Sequence, residues 1–270
     1  PFDRMHPVRA YLNDPRIANG SQAFHFGIDI SAPDGTPVYA VEGGTVDMEG
    51  AQNVAVVTTD RSRTFGYWHL VPAVTQHQVV RQGDLLGHIA KGWGHVHFAE
   101  RGGDYLNPLR PGALTPFSDT RPPVVSRIVC SRSGQELDPR NLHGPLDVIV
   151  EAFDHPPLPV PSPWAEMPVS PARISWAVLR GNQTIWPWHT PIELGAKMLP
   201  QQLFPVVYAP GTRANHPSAP GVFRYVVAHT WSSRLIPDGN YQIEVEVSDL
   251  HGNKTRASQP ITLANHAAPL

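Results

Sequence analysis

The chain has 270 residues, a formal net charge of −2 at pH 7 and one cysteine. This length is enough for two domains with separate cores, and the near-neutral charge gives no basic surface of the kind that binds nucleic acid. The single cysteine excludes an intrachain disulfide, and because no apolar run approaches about 18 residues, no membrane span is predicted.

The first part of the chain is predicted to be a compact antiparallel sheet. Thirty prolines and 22 glycines, with few periodic stretches of helix length, indicate a mostly β chain. Residues Arg9–Arg16 are predicted to form a loop or a short helix, with Arg16 helping to close the functional site. Turn sequences occur at Pro33-Asp34-Gly35 and Glu42-Gly43-Gly44. Strands are predicted for four short segments rich in β-branched or aromatic residues, at 36–41, 53–58, 64–69 and 95–99.

Histidine and aspartate residues on these strands predict a metal site. Successive side chains on a strand point to opposite faces, so His95 and His97 share one face, and His25 and Asp29 share another. His69 is a fifth candidate. A catalytic zinc takes three ligands from His, Asp or Glu and leaves the fourth position for water. Two imidazoles would then remain to transfer protons and to stabilise charge. Since the chain has 14 histidines, any one pair taken alone is equally compatible with an ordinary surface or core role.

The same segments resemble the lysostaphin-type (LytM-like) zinc endopeptidases of bacterial cell-wall metabolism. The resemblance extends from Val8 to Glu100, and five motifs occur in the family's order. These motifs are His25-Phe26-Gly27-Ile28-Asp29 with the strand that follows it to Ala40, Gly43-Gly44-Thr45-Val46, Tyr67-Trp68-His69-Leu70, Gln82-Gly83-Asp84-Leu85-Leu86-Gly87 and His95-Val96-His97-Phe98.

The resemblance implies a zinc endopeptidase that cuts peptidoglycan peptides in an extracellular or periplasmic location. It implies that Zn²⁺ is bound by His25, Asp29 and His97, and that His69 and His95 are catalytic. One neutral imidazole would accept a proton from water and the other would stabilise the oxyanion, and the sequence does not divide these roles between the two. The chain has no signal-like segment, which is typical of a processed or truncated form and carries no information about export.

One loop departs from the family's pattern. In place of a longer turn rich in Gly, Ser and Thr, this chain has the shorter and bulkier sequence His88-Ile89-Ala90-Lys91-Gly92-Trp93-Gly94. Gly92 and Gly94 supply the backbone freedom for a sharp entry into the last strand, and Trp93 is predicted to line or block the cleft. Because all five candidate positions are retained, we interpret the loop as altering substrate preference rather than abolishing activity.

A Pro-rich linker, residues 115–123, is predicted to separate a peptidase domain, residues 1–114, from an accessory domain, residues 124–270. The spacing of the accessory domain's strands and turns predicts an immunoglobulin-like or fibronectin-like β-sandwich. Two Pro-rich excursions, 155–171 and 200–220, are predicted to be surface loops that contact the peptidase domain. Half-buried strands are predicted where polar and apolar residues alternate, at 146–154, 174–179, 223–227 and 241–249.

The accessory domain has no catalytic constellation in its sequence. Cys130 is interpreted as a buried structural thiol. The tryptophans are interpreted as packing residues, with a platform for protein or glycan contact as the alternative; they are Trp164, Trp176, Trp186, Trp188 and Trp231. Two alternatives to a wall-cutting enzyme stay open: a non-catalytic LytM-like module that binds wall or a partner and keeps its metal for structure, and a zinc endopeptidase acting on proteins.

Overall fold

The computed structural model describes residues 1–114 and 118–266, and these residues fold almost entirely as antiparallel β-structure. This confirms the predicted mostly β class. Thr115, Pro116 and Phe117, which belong to the predicted linker, lie outside the described residues. The assignment of domain boundaries at 115–123 stays a prediction.

The first part of the chain, residues 1–114, forms a large sheet flanked by smaller ones. The large sheet has the strand order β1-β4-β12-β8-β7-β6-β10, with β13 paired to β12, and the smaller ones are β5-β11-β9 and the hairpin β2-β3. The strands are β1 (Val8–Ala10), β2 (Pro15–Ala18), β3 (Ser21–Phe24), β4 (Ile28–Ser31), β5 (Pro37–Tyr39), β6 (Gly44–Gly50), β7 (Asn53–Val57), β8 (Thr64–Trp68), β9 (Leu70–Pro72), β10 (Val79–Val80), β11 (Leu85–Ile89), β12 (His95–Gly102) and β13 (Asp104–Leu106).

The alternation of β12 shows how this sheet separates core from site. Val96 and Phe98 are completely buried in the hydrophobic core of the first part. His95 and His97 therefore point to the opposite face, as the period of two predicts. The pairing of β12 with β4 on one side and β8 on the other brings the three histidine- and aspartate-bearing motifs next to one another.

Two local predictions for this part were wrong. Residues Arg9–Arg16 contribute strands β1 and β2, with a turn between them, rather than a loop or short helix. Their strand conformation depends on pairing with β4 and β3, a tertiary effect that local sequence does not reveal. His25 does not share a strand with Asp29 either, because it lies in the connection between β3 and β4.

The second part, residues 118–266, consists of two four-stranded antiparallel sheets that share one hydrophobic core. Their strand orders are β15-β14-β16-β19 and β18-β17-β20-β21, which is a sandwich arrangement; the immunoglobulin-like or fibronectin-like assignment stays a prediction. The elements are β14 (Val124–Arg132), β15 (Gln135–Glu136), β16 (Pro145–Phe153), β17 (Arg173–Arg180), β18 (Gln183–Glu193), the 3₁₀ turn Gln201–Leu203, α1 (Phe204–Val207), β19 (Arg224–Ser232), the 3₁₀ turn Ser233–Leu235, β20 (Gly239–Ser248) and β21 (Lys254–Leu263).

Cys130 and two of the tryptophans of the second part are buried, as the sequence interpretation expects, whereas Trp188 is not. Cys130 is buried, and burial raises the pKa of its thiol to about 12, so it is an unreactive core residue. Trp176 and Trp231 are buried and pack edge to face with ring centroids 5.6 Å apart. Trp188 lies at the surface beneath the Arg256 guanidinium.

The contacts between the two parts include a buried turn that has Asn13 at its centre. The Asn13 side chain donates to the carbonyls of Leu194 and Lys197, each at 3.0 Å, and accepts from the Leu199 amide at 2.9 Å. The Tyr208 hydroxyl donates to the Asn13 carbonyl at 2.8 Å. Asn13 has a positive φ of 69°, a backbone conformation that Asn tolerates better than most residues. The turn before β2 is thus fixed by contacts from the second part.

A buried acidic group follows β16. Asp154 is 2% exposed, and burial raises the pKa of its carboxyl to about 7, with the charges of Asp249 and Asp119 adding to the effect. Asp119, Asp249 and His251 also form a group whose ligand atoms lie close enough to hold a metal ion. Between pH 3.8 and 7 the Asp154 carboxyl is protonated in the native state, whereas in the unfolded chain, with its usual pKa of 3.8, it would be ionised. The native state is therefore destabilised as the pH rises from 3.8 through 7.

Replacing Asp154 with Asn is expected to remove this pH-dependent loss of stability. In metal-free buffer, thermal unfolding followed by circular dichroism should give a Tm several degrees above wild type at pH 8, at about 2–4 °C for each kcal/mol regained. The difference should shrink towards zero at pH 4, where both carboxyl and amide are neutral. Asp3→Asn, a change at an exposed carboxylate, is the control. An equal shift in Tm at both pH values would contradict the assignment.

Candidate metal centre

Asp29 and His97 face each other directly across the β4–β12 ladder. The Asp29 Oδ1 atom lies 3.0 Å from the His97 Nδ1 atom, and both residues are buried. His95 lies on the same face of β12, two residues earlier, with its Nε2 atom 3.7 Å from the same carboxylate oxygen. Strand register alone therefore brings three of the five candidate side chains together.

His25 reaches the group from the connection that precedes β4. Its Nδ1 atom donates to the Tyr11 carbonyl at 2.9 Å, which leaves the Nε2 lone pair directed towards the site. That Nε2 atom lies 2.9 Å from His97 Nδ1 and 3.2 Å from Asp29 Oδ1. Gly27 permits this close approach, because a Cβ there would lie 2.4 Å from the Phe98 carbonyl oxygen.

These three residues form a suitable donor set for a metal ion. Burial, reinforced by the Arg16 charge, lowers the pKa of His25 to about 3, so its imidazole is neutral at pH 7. Although burial opposes ionisation of Asp29, the Arg16 guanidinium at 2.8 Å helps to hold the pKa of its carboxyl well below the usual range. Two imidazole nitrogens and one carboxylate oxygen within 4.8 Å of one another match the ligand types of a catalytic zinc site.

His69 and His95 lie beside this donor set. Their ring centroids are 4.7 Å apart, and all five candidate side chains line one cleft. Burial lowers the pKa of His69 to about 4 and also lowers that of His95, so both imidazoles are neutral at pH 7. His69 follows β8 with a positive φ of 73°, an uncommon conformation for a residue other than Gly and one that occurs often at functional sites.

The short loop before β12 lies against these two histidines. The Trp93 indole stacks on the His69 ring with centroids 3.5 Å apart and an interplanar angle of 14°, and it is 42% exposed. Gly92 and Gly94 have φ values of 91° and 60°, as the sequence analysis expects for this sharp entry. Asp34 accepts hydrogen bonds from the amides of both glycines, at 2.6 and 2.8 Å, and so holds the loop. Trp93 thus lies beside the cleft, stacked on His69, which lines it.

Two arginines complete the surroundings. Arg16, from β2, donates to Asp29 Oδ2 at 2.8 Å. Arg9, from β1, lies with one guanidinium nitrogen 2.8 Å from His95 Nδ1, while the Trp93 carbonyl lies 2.7 Å from that same ring nitrogen. The position of Arg9 beside His95 was not predicted from the sequence, and no motif spacing marks it, because β1 reaches the site only by pairing with β4.

Comparison with known proteins identified one family and several solved structures to which the chain is similar. Residues 23–108 match the model of Peptidase family M23, which confirms the predicted resemblance to the lysostaphin-type, LytM-like family. The catalytic domain of lysostaphin from Staphylococcus simulans is 23% identical, with a TM-score of 0.32, over 36% of this chain and 84% of its own. LytU is 23% identical, with a TM-score of 0.32, over 38% of this chain and 79% of its own. The M23 metalloprotease pseudoalterin from the deep sea is 18% identical, with a TM-score of 0.33, over 42% of this chain and 75% of its own.

No curated protein sequence matches the chain. Within residues 1–114 and 118–266, no helix is long and apolar enough to cross a membrane.

Removal of the Asp29 carboxylate is expected to weaken metal binding strongly. Asp29→Ala takes away the anionic ligand of the set, and since changes in the surroundings of metal ligands alone cost about 10–100-fold in affinity, loss of a ligand should cost at least about 100-fold. Competition between the protein and a chromophoric chelator for Zn²⁺ measures the affinity. Asp3→Asn serves as the control, and an unchanged zinc affinity in Asp29→Ala would contradict the proposed ligand set.

Proposed function

We propose that the chain is a zinc-dependent endopeptidase that hydrolyses peptide bonds in bacterial peptidoglycan, outside the cytoplasm. The observation that carries the proposal is the convergence of His25, Asp29 and His97, with the two neutral imidazoles of His69 and His95 beside them. A metal held only for structure would have no use for that second pair. The match of residues 23–108 to a peptidase family supports peptide-bond hydrolysis, and the LytM-like resemblance supports the wall as substrate and an extracellular or periplasmic location.

Zinc would be held by His25 Nε2, Asp29 Oδ1 and His97 Nδ1. Bound there, it would supply a Lewis acid for the scissile carbonyl and a water of lowered pKa. Neighbouring residues orient these side chains. The Tyr11 carbonyl accepts a hydrogen bond from His25 Nδ1 and so selects the tautomer of His25, and Arg16 donates to the Asp29 carboxylate. Such outer contacts orient metal ligands and set their basicity.

His69 and His95 would divide the proton transfer and the stabilisation of the oxyanion. The state of His95 depends on which neighbour its Nδ1 atom serves, because Nδ1 can donate to the Trp93 carbonyl or accept from Arg9 but cannot do both at once. Donation to Trp93 leaves Nε2 as a base facing the ligand set, whereas acceptance from Arg9 leaves an Nε2–H donor. His95 can thus provide either function, and His69 the complementary one.

Loss of either imidazole is expected to stop turnover while metal stays bound. Zinc-loaded wild type, His95→Ala and His69→Ala should be incubated with purified peptidoglycan sacculi, and released fragments identified by mass spectrometry. Each variant should release about 10²–10⁴-fold less product at unchanged zinc content. His88→Ala, which changes an exposed histidine on β11, is the matched control.

The same experiment separates the alternatives. New peptide termini that depend on His95 would support the endopeptidase and identify the bond it cuts. Full activity in His95→Ala would overturn the assigned role. If wild type with bound zinc releases nothing from several wall types, the wall-cutting proposal fails, and a binding module or a zinc endopeptidase for protein substrates takes its place.

Trp93 is expected to determine which cross-link is cut. Trp93→Ala removes the ring that stacks on His69 and opens the cleft beside it. Loss of one well-packed contact changes the relative kcat/KM of competing substrates by on the order of tenfold. Rates on walls with different cross-links measure the effect, and unchanged rates and preference would contradict it.

A further inference from the structure

A second groove adjoins the metal cleft on the other side of His95. It has a volume of about 700 Å³, in the size range of small-ligand sites, and His95 lines both cavities. Trp93, from the loop before β12, and Pro161 to Trp164, from the second part of the chain, both line it. Arg9 lines it as well, with its guanidinium against the Trp164 ring. A peptide held at His95 could extend directly into this space.

Arg9 places an unpaired positive charge in the groove. Within the described residues, no carboxylate oxygen lies within 4.0 Å of its guanidinium, and its hydrogen bond is the one to His95. The Trp164 ring covers one face of the guanidinium at 4.5 Å. A guanidinium carries five N–H donors in a fixed plane, so most of the Arg9 donors have no acceptor in the described part of the chain. Burial of this charge lowers the pKa of Arg9, though the group stays charged at neutral pH.

The one acidic side chain known to line the groove does not neutralise Arg9. Asp34 lies in the same wall as Trp93, but its two carboxylate oxygens accept the amides of Gly92 and Gly94. Arg16, the nearest other arginine in the site, is already paired with Asp29. Arg9 therefore has no carboxylate within 4.0 Å in the described part of the chain, and the Asp29 charge acts on it only from farther away. The Trp164 ring covers one face of its guanidinium, and Trp93 lines the same groove.

We propose that Arg9, Trp93 and Trp164 form a subsite for a carboxylate of the peptide that is cut. The guanidinium edge matches a carboxylate through paired, charge-assisted hydrogen bonds, and the two indoles pack on the neighbouring aliphatic atoms of the peptide. The carboxylate is either a peptide C-terminus or an acidic side chain, since both present the same two oxygens. This subsite rests on the proposed function, and it makes the second part of the chain a determinant of specificity through Trp164.

The first test compares walls with and without free carboxylates. Sacculi are converted to carboxamides with a carbodiimide and ammonium chloride, and product release is measured with zinc-loaded wild type, Arg9→Gln, Arg9→Lys and the exposed control Arg101→Gln. Wild type and Arg101→Gln should release at least about tenfold less from amidated than from untreated wall. Arg9→Gln should be slow on both walls, with no preference left, and Arg9→Lys should recover part of the preference.

The second test measures binding without turnover, so it stays informative if no wall is cut. Ligand-observed NMR titrations use acetyl-trialanine and its C-terminal amide, together with the amidated peptides acetyl-Ala-Glu-Ala and acetyl-Ala-Gln-Ala. Wild type should bind one carboxylate peptide at least about tenfold more tightly than its amide partner, and Arg9→Gln should bind both equally. The first pair reports a terminal carboxylate and the second an acidic side chain.

The outcomes distinguish the two proposals. Discrimination in binding that requires Arg9, without wall cleavage, would refute the wall-cutting function and support the subsite. If Arg9→Gln lowers product release by the same factor on both walls, the preference for untreated wall is retained. Arg9 would then act only by positioning His95, and the subsite would be refuted. Wild type that does not distinguish carboxylate from amide in either test would refute it as well. Melting temperature and zinc content confirm that each variant is folded and loaded.

Discussion

The register between β4 and β12 is the constraint on which the rest of the site depends. It sets Asp29 opposite His97 and sends Val96 and Phe98 to the core while His95 and His97 face the cleft. A slip of one residue would exchange these faces, placing apolar side chains at the candidate metal site and imidazoles in the core. Burial of Val96 and Phe98 therefore helps to fix the positions of the candidate ligands.

Strands β7, β8 and β12 of the large sheet could be predicted from the sequence, because their composition and alternation are visible locally, and His95 and His97 lie on β12. His25 and His69 lie in connections between strands, and they were singled out by the motifs that resemble a known family. The convergence of His25 with Asp29 was predicted correctly for an incorrect reason. A shared strand was expected, whereas the chain leaves β3, turns through Gly27 and returns against the backbone of β12. Glycine is necessary at position 27 because the backbone of β12, distant in sequence, lies against it. The local sequence around Gly27 does not contain this information.

The arginines show the same limit. Arg16 was expected near the site, although within a loop or helix rather than strand β2. Arg9 was not singled out, because its contacts with His95 and Trp164 join residues far apart along the chain. Four strands of the second part, β16, β17, β19 and β20, were predictable from alternation, whereas β14, β15, β18 and β21 were not singled out. The contacts that its Pro-rich excursion makes with the first part could be expected only in general terms.

The buried turn around Asn13 links the second part of the chain to the metal ligands in a few steps. The second part holds Asn13, the same turn presents the Tyr11 carbonyl, and that carbonyl fixes the His25 ring. The two parts are consequently not interchangeable modules. A chimera that joins residues 1–114 to an unrelated second part would have to supply new partners for the Asn13 amide, or the contacts that orient His25 through this turn would be lost.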